Sequence, residues 1–169
     1  MRLYLLRHGK SDWDLSGGGD HERPLAKRGR SSAQVIGRYL SGLEPFPQKV
    51  ICSSARRAEE TVLLAAEAGK WSCPIHITDR LYSSSSDDLL DFLRGCSDDD
   101  QSLLLAGHMP SLPDLIRDLV GGAKVKFPTA ALAAIDLSVR SWSEVEPGCG
   151  TLLWLVTPKI LAARNPSES

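Results

Sequence analysis

The sequence has no long hydrophobic run and no excess of charge of either sign. Nowhere do about 18 consecutive apolar residues follow one another, which a membrane-spanning helix would require. Twenty Lys and Arg against 21 Asp and Glu leave a formal net charge of -1, so no overall field attracts the chain to nucleic acid or to an anionic membrane. We therefore expect a cytoplasmic protein that binds neither.

The four cysteines form no recognisable metal or redox motif. Cys52, Cys73, Cys96 and Cys149 include no C-x-x-C pair, and no histidine stands near them at metal-ligand spacing. Reduced thiols are expected, and the sequence leaves open whether Cys52, at the end of a predicted strand, makes the protein redox-sensitive. We expect no metal and no other cofactor.

Length and composition indicate one globular domain, since 169 residues with 42% hydrophobic content can build one core. Apolar runs alternate with segments of helical periodicity, which predicts an α/β fold with a mainly parallel sheet. The last two strands, joined without a helix, predict an antiparallel edge. Strands are expected at 3–6, 50–51, 74–77, 103–106, 131–137 and 151–156, and helices at 27–41, 57–68, 86–94 and 111–120.

The remaining segments are predicted to be loops or termini. A glycine-rich loop is expected at 16–24, and Gly69 is expected to cap the second helix. The domain is taken to span residues 1–160, with a disordered tail at 161–169.

Basic residues stand at or shortly beyond the carboxyl ends of three of the predicted strands. Arg7 and His8 follow the first strand, His108 follows the fourth, and Arg56 and Arg57 open the helix after the second. In an open α/β sheet, ligands bind beyond the carboxyl ends of the strands. If these three strands are neighbours, one arginine of the 56–57 pair joins the other residues in a pocket that favours an oxyanion, most simply phosphate.

Arginine and histidine suit different tasks in such a pocket. Guanidinium groups stay charged and bind phosphate oxygens bidentately, whereas an imidazole can be neutral and nucleophilic. The pattern therefore predicts arginines that bind the phosphate and a histidine that attacks it.

Three motifs in matching order and spacing support a resemblance to a known family: RHG at 7–9, RAEET at 57–61 and GH at 107–108. With them the chain resembles the histidine phosphatase superfamily. The resemblance implies the phosphoglycerate mutase-like fold, a single-domain three-layer α/β/α sandwich. Within the superfamily the chain is most similar to SixA-type phosphohistidine phosphatases, at RPLAKRG (23–29), GHMPSL (107–112) and FPTAALAAIDL (127–137).

The resemblance assigns roles to the basic residues. His8 would accept the phosphoryl group, Arg7 and Arg57 would bind its oxygens, and His108 would complete the phosphate pocket. Their positive charge would make a metal ion unnecessary. A neutral His8 would attack phosphorus in line, and water would then hydrolyse the phosphohistidine.

Further candidate residues stand near this set in the sequence. Arg57 matches the motif better than Arg56, because the family's arginine directly precedes Ala and lies four residues after Ser53. Ser11 and Arg23 are candidates for contact with phosphate or its carrier. The alternative for each is a structural role at a turn or at the rim of the pocket.

The implied activity is removal of phosphate from a histidine-phosphorylated protein. An alkyl phosphate ester has a poor leaving group that needs a proton, and many superfamily members supply it from an acid after the third strand. The candidates there are Asp79, Asp87 and Asp88. Imidazole leaves more easily than an alkoxide, so a missing acid favours phosphohistidine.

Two alternatives stay open. One is a general small-molecule phosphomonoesterase or mutase of the same superfamily that uses Asp79 or Asp87 as its acid. The other is a phosphate- or phosphohistidine-binding module without turnover. A monomer is expected because no coiled-coil pattern is present, and His21 and His76 are expected to have no catalytic role.

Overall fold

The computed structural model describes residues 1–14 and 19–164 of the chain. In this part of the chain the strands form one sheet of order β3-β2-β4-β1-β5-β6. Strands β3, β2, β4 and β1 pair in parallel, whereas β1–β5 and β5–β6 are antiparallel. The predicted mainly parallel sheet with an antiparallel edge is confirmed. The strands are β1 (Arg2–Arg7), β2 (Lys49–Ser53), β3 (Ile75–Thr78), β4 (Ser102–Gly107), β5 (Leu132–Leu137) and β6 (Gly150–Val156).

Helices cover both faces of the sheet, as the three-layer prediction requires. One face packs against α1, α2 and α5, and the other against α3 and α4. None of the helices in the described ranges is long and apolar enough to cross a membrane. The helices are α1 (Lys27–Ser41), α2 (Arg56–Gly69), α3 (Ser86–Arg94), α4 (Ser111–Leu119) and α5 (Pro158–Arg164).

The alternation of side chains along β1 explains the two cores. Leu3 and Leu5 pack with the α3 and α4 side, while Tyr4 and Leu6 pack with the α1 and α2 side. All four are almost fully buried. A strand covered on both faces therefore appears in the sequence as a continuous apolar run.

The end of α2 differs from the prediction. Gly69 belongs to the helix, and the left-handed cap is Lys70, with φ 52°. A Cβ on Gly69 would lie 2.3 Å from the carbonyl oxygen of Gly37 in α1. The glycine therefore permits close contact between the two helices and does not terminate the second one.

The predicted C-terminal tail and the predicted glycine-rich loop agree only in part with the residues that the structure describes. Residues 161–164, assigned to the tail in the sequence analysis, belong to α5, and 165–169 lie outside the described residues. Of the loop expected at 16–24, residues 16–18 also lie outside the described range.

Candidate active site

Three neighbouring parallel strands bring the predicted basic residues together. The ends of β1 and β4 are in register, with Arg7 opposite Gly107, so His8 and His108 leave the sheet side by side. Their ring centroids are 5.1 Å apart. Strand β2, on the other side of β4, leads into the first turn of α2, which carries Arg57. We call Arg7, His8, Arg57 and His108 the basic pocket.

His8 is held in one tautomer. Its Nδ1 atom lies 2.7 Å from the carbonyl oxygen of Gly9. A carbonyl can only accept, so Nδ1 carries the proton and Nε2 has a free lone pair. Burial is the main cause that lowers the pKa of His8 to about 3, and the nearby charges of Arg57 and Arg7 add to it. At neutral pH the imidazole is therefore an uncharged nucleophile.

His108 is also neutral at pH 7. Its Nε2 atom lies 2.7 Å from the Oγ atom of Ser53, the last residue of β2. Burial, followed by the charge of Arg57, lowers the pKa of His108 to about 4. The Ser53 hydroxyl thus fixes the ring orientation of the second histidine.

The two arginines of the basic pocket are anchored by main-chain carbonyls. Arg7 donates from Nη1 to the carbonyl of Phe127 at 2.9 Å, and Arg57 donates from Nη1 to the carbonyl of Asp20 at 2.6 Å. Arg57 is 5% exposed. Arg56, by contrast, is on the surface and donates to Glu60 at 2.9 Å. Of the two candidates, the structure places Arg57 in the pocket.

Buried nitrogen atoms without partners are concentrated at this site. Seven buried side-chain atoms of the described residues lack a hydrogen-bond partner, and five of the seven belong to the basic pocket or to Arg23. A buried donor without an acceptor is unfavourable, so this concentration indicates a place for an anion. The five atoms are Nε of Arg7, Nε and Nη1 of Arg23, Nε of Arg57 and Nδ1 of His108.

Arg23 and Ser11 have different surroundings in the structure. Arg23 is buried beside the pocket, with Nη2 3.1 Å from Asp20 Oδ1 and its guanidinium carbon 3.4 Å from the centroid of the Trp13 ring. Ser11 is also buried, and it forms a backbone bridge with Leu25 that closes the connection between β1 and α1. Arg23 can therefore contribute charge to the pocket, whereas Ser11 has a structural contact.

Asp20 and Tyr82 are site residues that the sequence analysis missed. Asp20 Oδ2 accepts from Arg57 Nη2 at 2.9 Å and from the Tyr82 hydroxyl at 3.2 Å. The Tyr82 ring lies edge-on to His108, with centroids 5.8 Å apart. The carboxylate of the site therefore comes from the loop before α1. The sequence feature that could have identified Asp20 is its position three residues before the candidate Arg23.

The ionisation of Asp20 follows from these contacts. Partial burial raises its pKa, but the charge and hydrogen bond of Arg57, with help from Arg23 and Tyr82, outweigh burial and lower the pKa of Asp20 below its ordinary value. Asp20 is therefore a carboxylate at neutral pH.

The acids proposed from sequence have other positions. Within the described residues, none of Asp79, Asp87 and Asp88 hydrogen-bonds to the basic pocket. Asp88 forms a capping box with Ser85 at the start of α3, and Asp79 and Asp87 are exposed. The structure therefore offers no contact through which one of these three would protonate a leaving group.

The other polar candidates are also placed. His76 is exposed on β3, whereas His21 lies at the rim, with Nε2 3.0 Å from Ser54 Oγ and its ring edge-on to Tyr82. Cys52 is fully buried, and burial raises the pKa of its thiol. A buried thiol is a poor redox sensor, since the thiolate is the reactive form.

Comparison with known proteins identifies the family. Residues 3–85 match the model of the histidine phosphatase superfamily, branch 1. An uncharacterised protein of Mycobacterium tuberculosis is 32% identical over 164 residues, which cover 91% of this chain and the whole of that protein. The chain belongs to the histidine phosphatase superfamily and is a phosphatase.

Solved structures are similar over almost the whole chain. The protein histidine phosphatase SixA in complex with tungstate has a TM-score of 0.81 and 24% identity, over 95% of this chain and 99% of that one. A mycobacterial glucosyl-3-phosphoglycerate phosphatase in complex with VO3 has a TM-score of 0.64 and 15% identity, over 90% and 97%. Similar folds therefore occur in phosphatases with different substrates.

Proposed function

We propose that this phosphatase removes phosphate from phosphohistidine on a protein and that it works through a phosphohistidine at His8. The concentration of unpartnered buried donors in the basic pocket and on Arg23 carries the proposal. Such donors suit the oxygens of a phosphoryl group, because guanidinium groups bind phosphate with paired, charge-assisted hydrogen bonds. The similarity to SixA, which binds the oxyanion tungstate, supports the same assignment.

In the first step, His8 Nε2 attacks phosphorus in line with the leaving group. The bond from phosphorus to the substrate nitrogen breaks as the bond to His8 forms. His8 Nδ1 keeps its proton throughout and donates it in a hydrogen bond to the Gly9 carbonyl, so the ring gains a positive charge that the transferred phosphoryl group offsets. Arg7 and Arg57 stabilise the charge on the phosphoryl oxygens.

In the second step, water attacks phosphorus and the P–N bond to His8 breaks. The electron pair of that bond returns to Nε2, and the phosphate leaves with both protons of the water. His108 assists both steps. The Ser53 hydroxyl donates to His108 Nε2, so the neutral ring carries its proton on Nδ1, which has no hydrogen-bond partner among the described residues. That N–H donates to a phosphoryl oxygen. The charge in the pocket comes from the protein itself, so the mechanism uses no metal ion.

We choose phosphohistidine over an alkyl phosphate ester as the substrate because of the positions and the ionisation of the acidic residues. Asp79, Asp87 and Asp88 are exposed on the surface, and Asp20 is ionised by its arginine partners. An alkoxide would therefore leave without a proton donor, which is slow. An imidazole leaves more readily, so the site suits a phosphoramidate. The protein partner and the cytoplasmic location stay predictions.

The test is phosphate release from a histidine-phosphorylated protein, compared with release from an alkyl phosphate ester. The wild type should act on phosphohistidine at a rate at least about 100-fold above the ester, and His8→Ala should lose turnover. His76→Ala, which removes an exposed histidine on β3, is the matched control and should retain it. Faster hydrolysis of the ester would indicate a general phosphomonoesterase, and binding without release would indicate a binding module.

A further inference from the structure

Two hydrogen-bond donors and the guanidinium group of a second arginine converge on the Asp20 carboxylate. Arg57 Nη2 is 2.9 Å from Oδ2, Arg23 Nη2 is 3.1 Å from Oδ1, and the Tyr82 hydroxyl is 3.2 Å from Oδ2. Both arginines are buried, so Asp20 is held in place by a charge-assisted hydrogen bond from Arg57 and an ion pair with Arg23. Asp20 is thus fixed beside the basic pocket. Its negative charge would repel the oxygens of a phosphate that came close to it.

The carboxylate lies on the open side of the site. The Asp20 side chain is 47% exposed, whereas His8 is 7% exposed at the bottom of the pocket. In-line transfer places the leaving group on the side of phosphorus opposite to His8. The leaving group therefore departs toward solvent, which is the side on which Asp20 and Tyr82 lie.

We infer that Asp20 determines specificity by accepting a hydrogen bond from the N–H of a departing imidazole, an inference that rests on the proposed function. Phosphohistidine carries phosphorus on one ring nitrogen, and its reactive form carries a proton on the other. As the P–N bond breaks, the electron pair of that bond returns to the ring and neutralises its positive charge. The imidazole leaves neutral, with its proton retained, and Asp20 neither gains nor loses one.

The same carboxylate disfavours other leaving groups. An alkoxide needs a proton that an ionised Asp20 does not hold, and its developing negative charge lies close to a fixed negative charge. An aryl phosphate ester releases a stable phenolate, which needs no proton. The phenolate has no N–H from which Asp20 could accept a hydrogen bond. Asp20 therefore favours a cationic nitrogen leaving group over an oxygen leaving group on the same phosphate.

The experiment compares two small probes in wild type and Asp20→Asn. N-phosphoimidazole reports on P–N cleavage, and p-nitrophenyl phosphate reports on P–O cleavage without protonation. Any general effect on phosphate binding cancels in the ratio of their kcat/KM values. The ratio of P–N to P–O cleavage should fall at least about tenfold in Asp20→Asn, the effect of losing a hydrogen bond to a charged group.

Two further variants separate charge from packing. Tyr82→Phe removes one contact of Asp20 but retains the carboxylate, so the ratio should fall less than in Asp20→Asn. Asp79→Asn changes an exposed acid outside the site and should leave the ratio unchanged. An unchanged ratio in Asp20→Asn would overturn the inference. Failure of the wild type on a phosphorylated protein would contradict the proposed function, whereas the ratio on the small probes tests Asp20 separately.

Discussion

The hydroxyl oxygen of Thr61 accepts a hydrogen bond from the backbone N–H of Gly9 at 2.9 Å. The same hydroxyl donates to the carbonyl of Arg57, one turn earlier in α2, at 2.6 Å. Both bonds are buried. Thr61 therefore joins the segment that positions His8 to the helix that carries Arg57, so that the nucleophile and the arginine are fixed relative to each other.

Thr61→Val should destabilise the protein with little change in shape. Valine fills the same space but leaves the Gly9 N–H buried without an acceptor, which costs about 1–3 kcal/mol. Urea unfolding measures this loss, and phosphate release should fall with it because Gly9 also supplies the carbonyl that orients His8. Thr61→Ser retains the hydroxyl, so its free energy of unfolding should decrease less than that of Thr61→Val. Equal stability of the valine variant and the wild type would contradict this role.

Arg57→Ala and Arg56→Ala should differ strongly although the residues are adjacent. Arg57 is buried in the basic pocket, whereas Arg56 contacts Glu60 on the surface. Removing one preorganised donor to a transition-state oxyanion typically costs about 100-fold or more in kcat, so we expect that loss for Arg57→Ala. Arg56→Ala should stay within about threefold of the wild type, since exposed ion pairs contribute little. Similar kcat values for the two variants would show that the wrong arginine has been assigned.

The sheet and most helices were predictable because their signals are local. Apolar runs mark strands buried on both faces, and the predicted bounds of α1 and α3 agree with the structure. Gly69 was misread because a glycine that ends a helix and a glycine that permits helix contact look alike in sequence. The contact is visible only when Gly37 of α1 is placed against it. Helix α5 was missed because seven residues show too little periodicity.

The basic pocket was predictable for a topological reason. Its residues stand at the ends of strands β1, β4 and β2, which the parallel order makes neighbours. Asp20 and Tyr82 lie on connecting segments, and their approach to Arg57 depends on how those segments pack. The sequence therefore predicted an acid after the third strand, whereas the carboxylate of the site stands before α1.

The contact between α1 and α2 predicts a strong effect at Gly37. A Cβ there would lie 2.0 Å from the carbonyl oxygen of Ala65, a main-chain atom that cannot move without shifting α2. Gly37→Ala should therefore lower the free energy of unfolding by about 3 kcal/mol, as overpacking does. At Gly42 a Cβ would be 3.6 Å from its nearest neighbour, and Gly42→Ala should stay within about 0.5 kcal/mol of the wild type. Thermal unfolding of both variants checks the difference, and a stable Gly37→Ala would contradict the close contact.

The two buried histidines predict how stability depends on pH. Burial lowers the pKa of His8 to about 3 and that of His108 to about 4, whereas both rings titrate near about 6.5 in an unfolded chain. Below that pH the unfolded state binds protons that the folded state does not, so stability is complete above pH ~6.5 and falls as the pH decreases. Each ring contributes a slope of up to about 1.4 kcal/mol per pH unit between those values.

His8→Asn removes one of these two contributions. Its free energy of unfolding, measured by urea at a series of pH values from 7 to 4, should fall less steeply than that of the wild type. The difference in slope should approach about 1.4 kcal/mol per pH unit below pH ~6. Parallel curves would mean that His8 takes up a proton in the folded protein at the same pH as in the unfolded chain, and the neutral nucleophile would then be lost in mildly acidic solution.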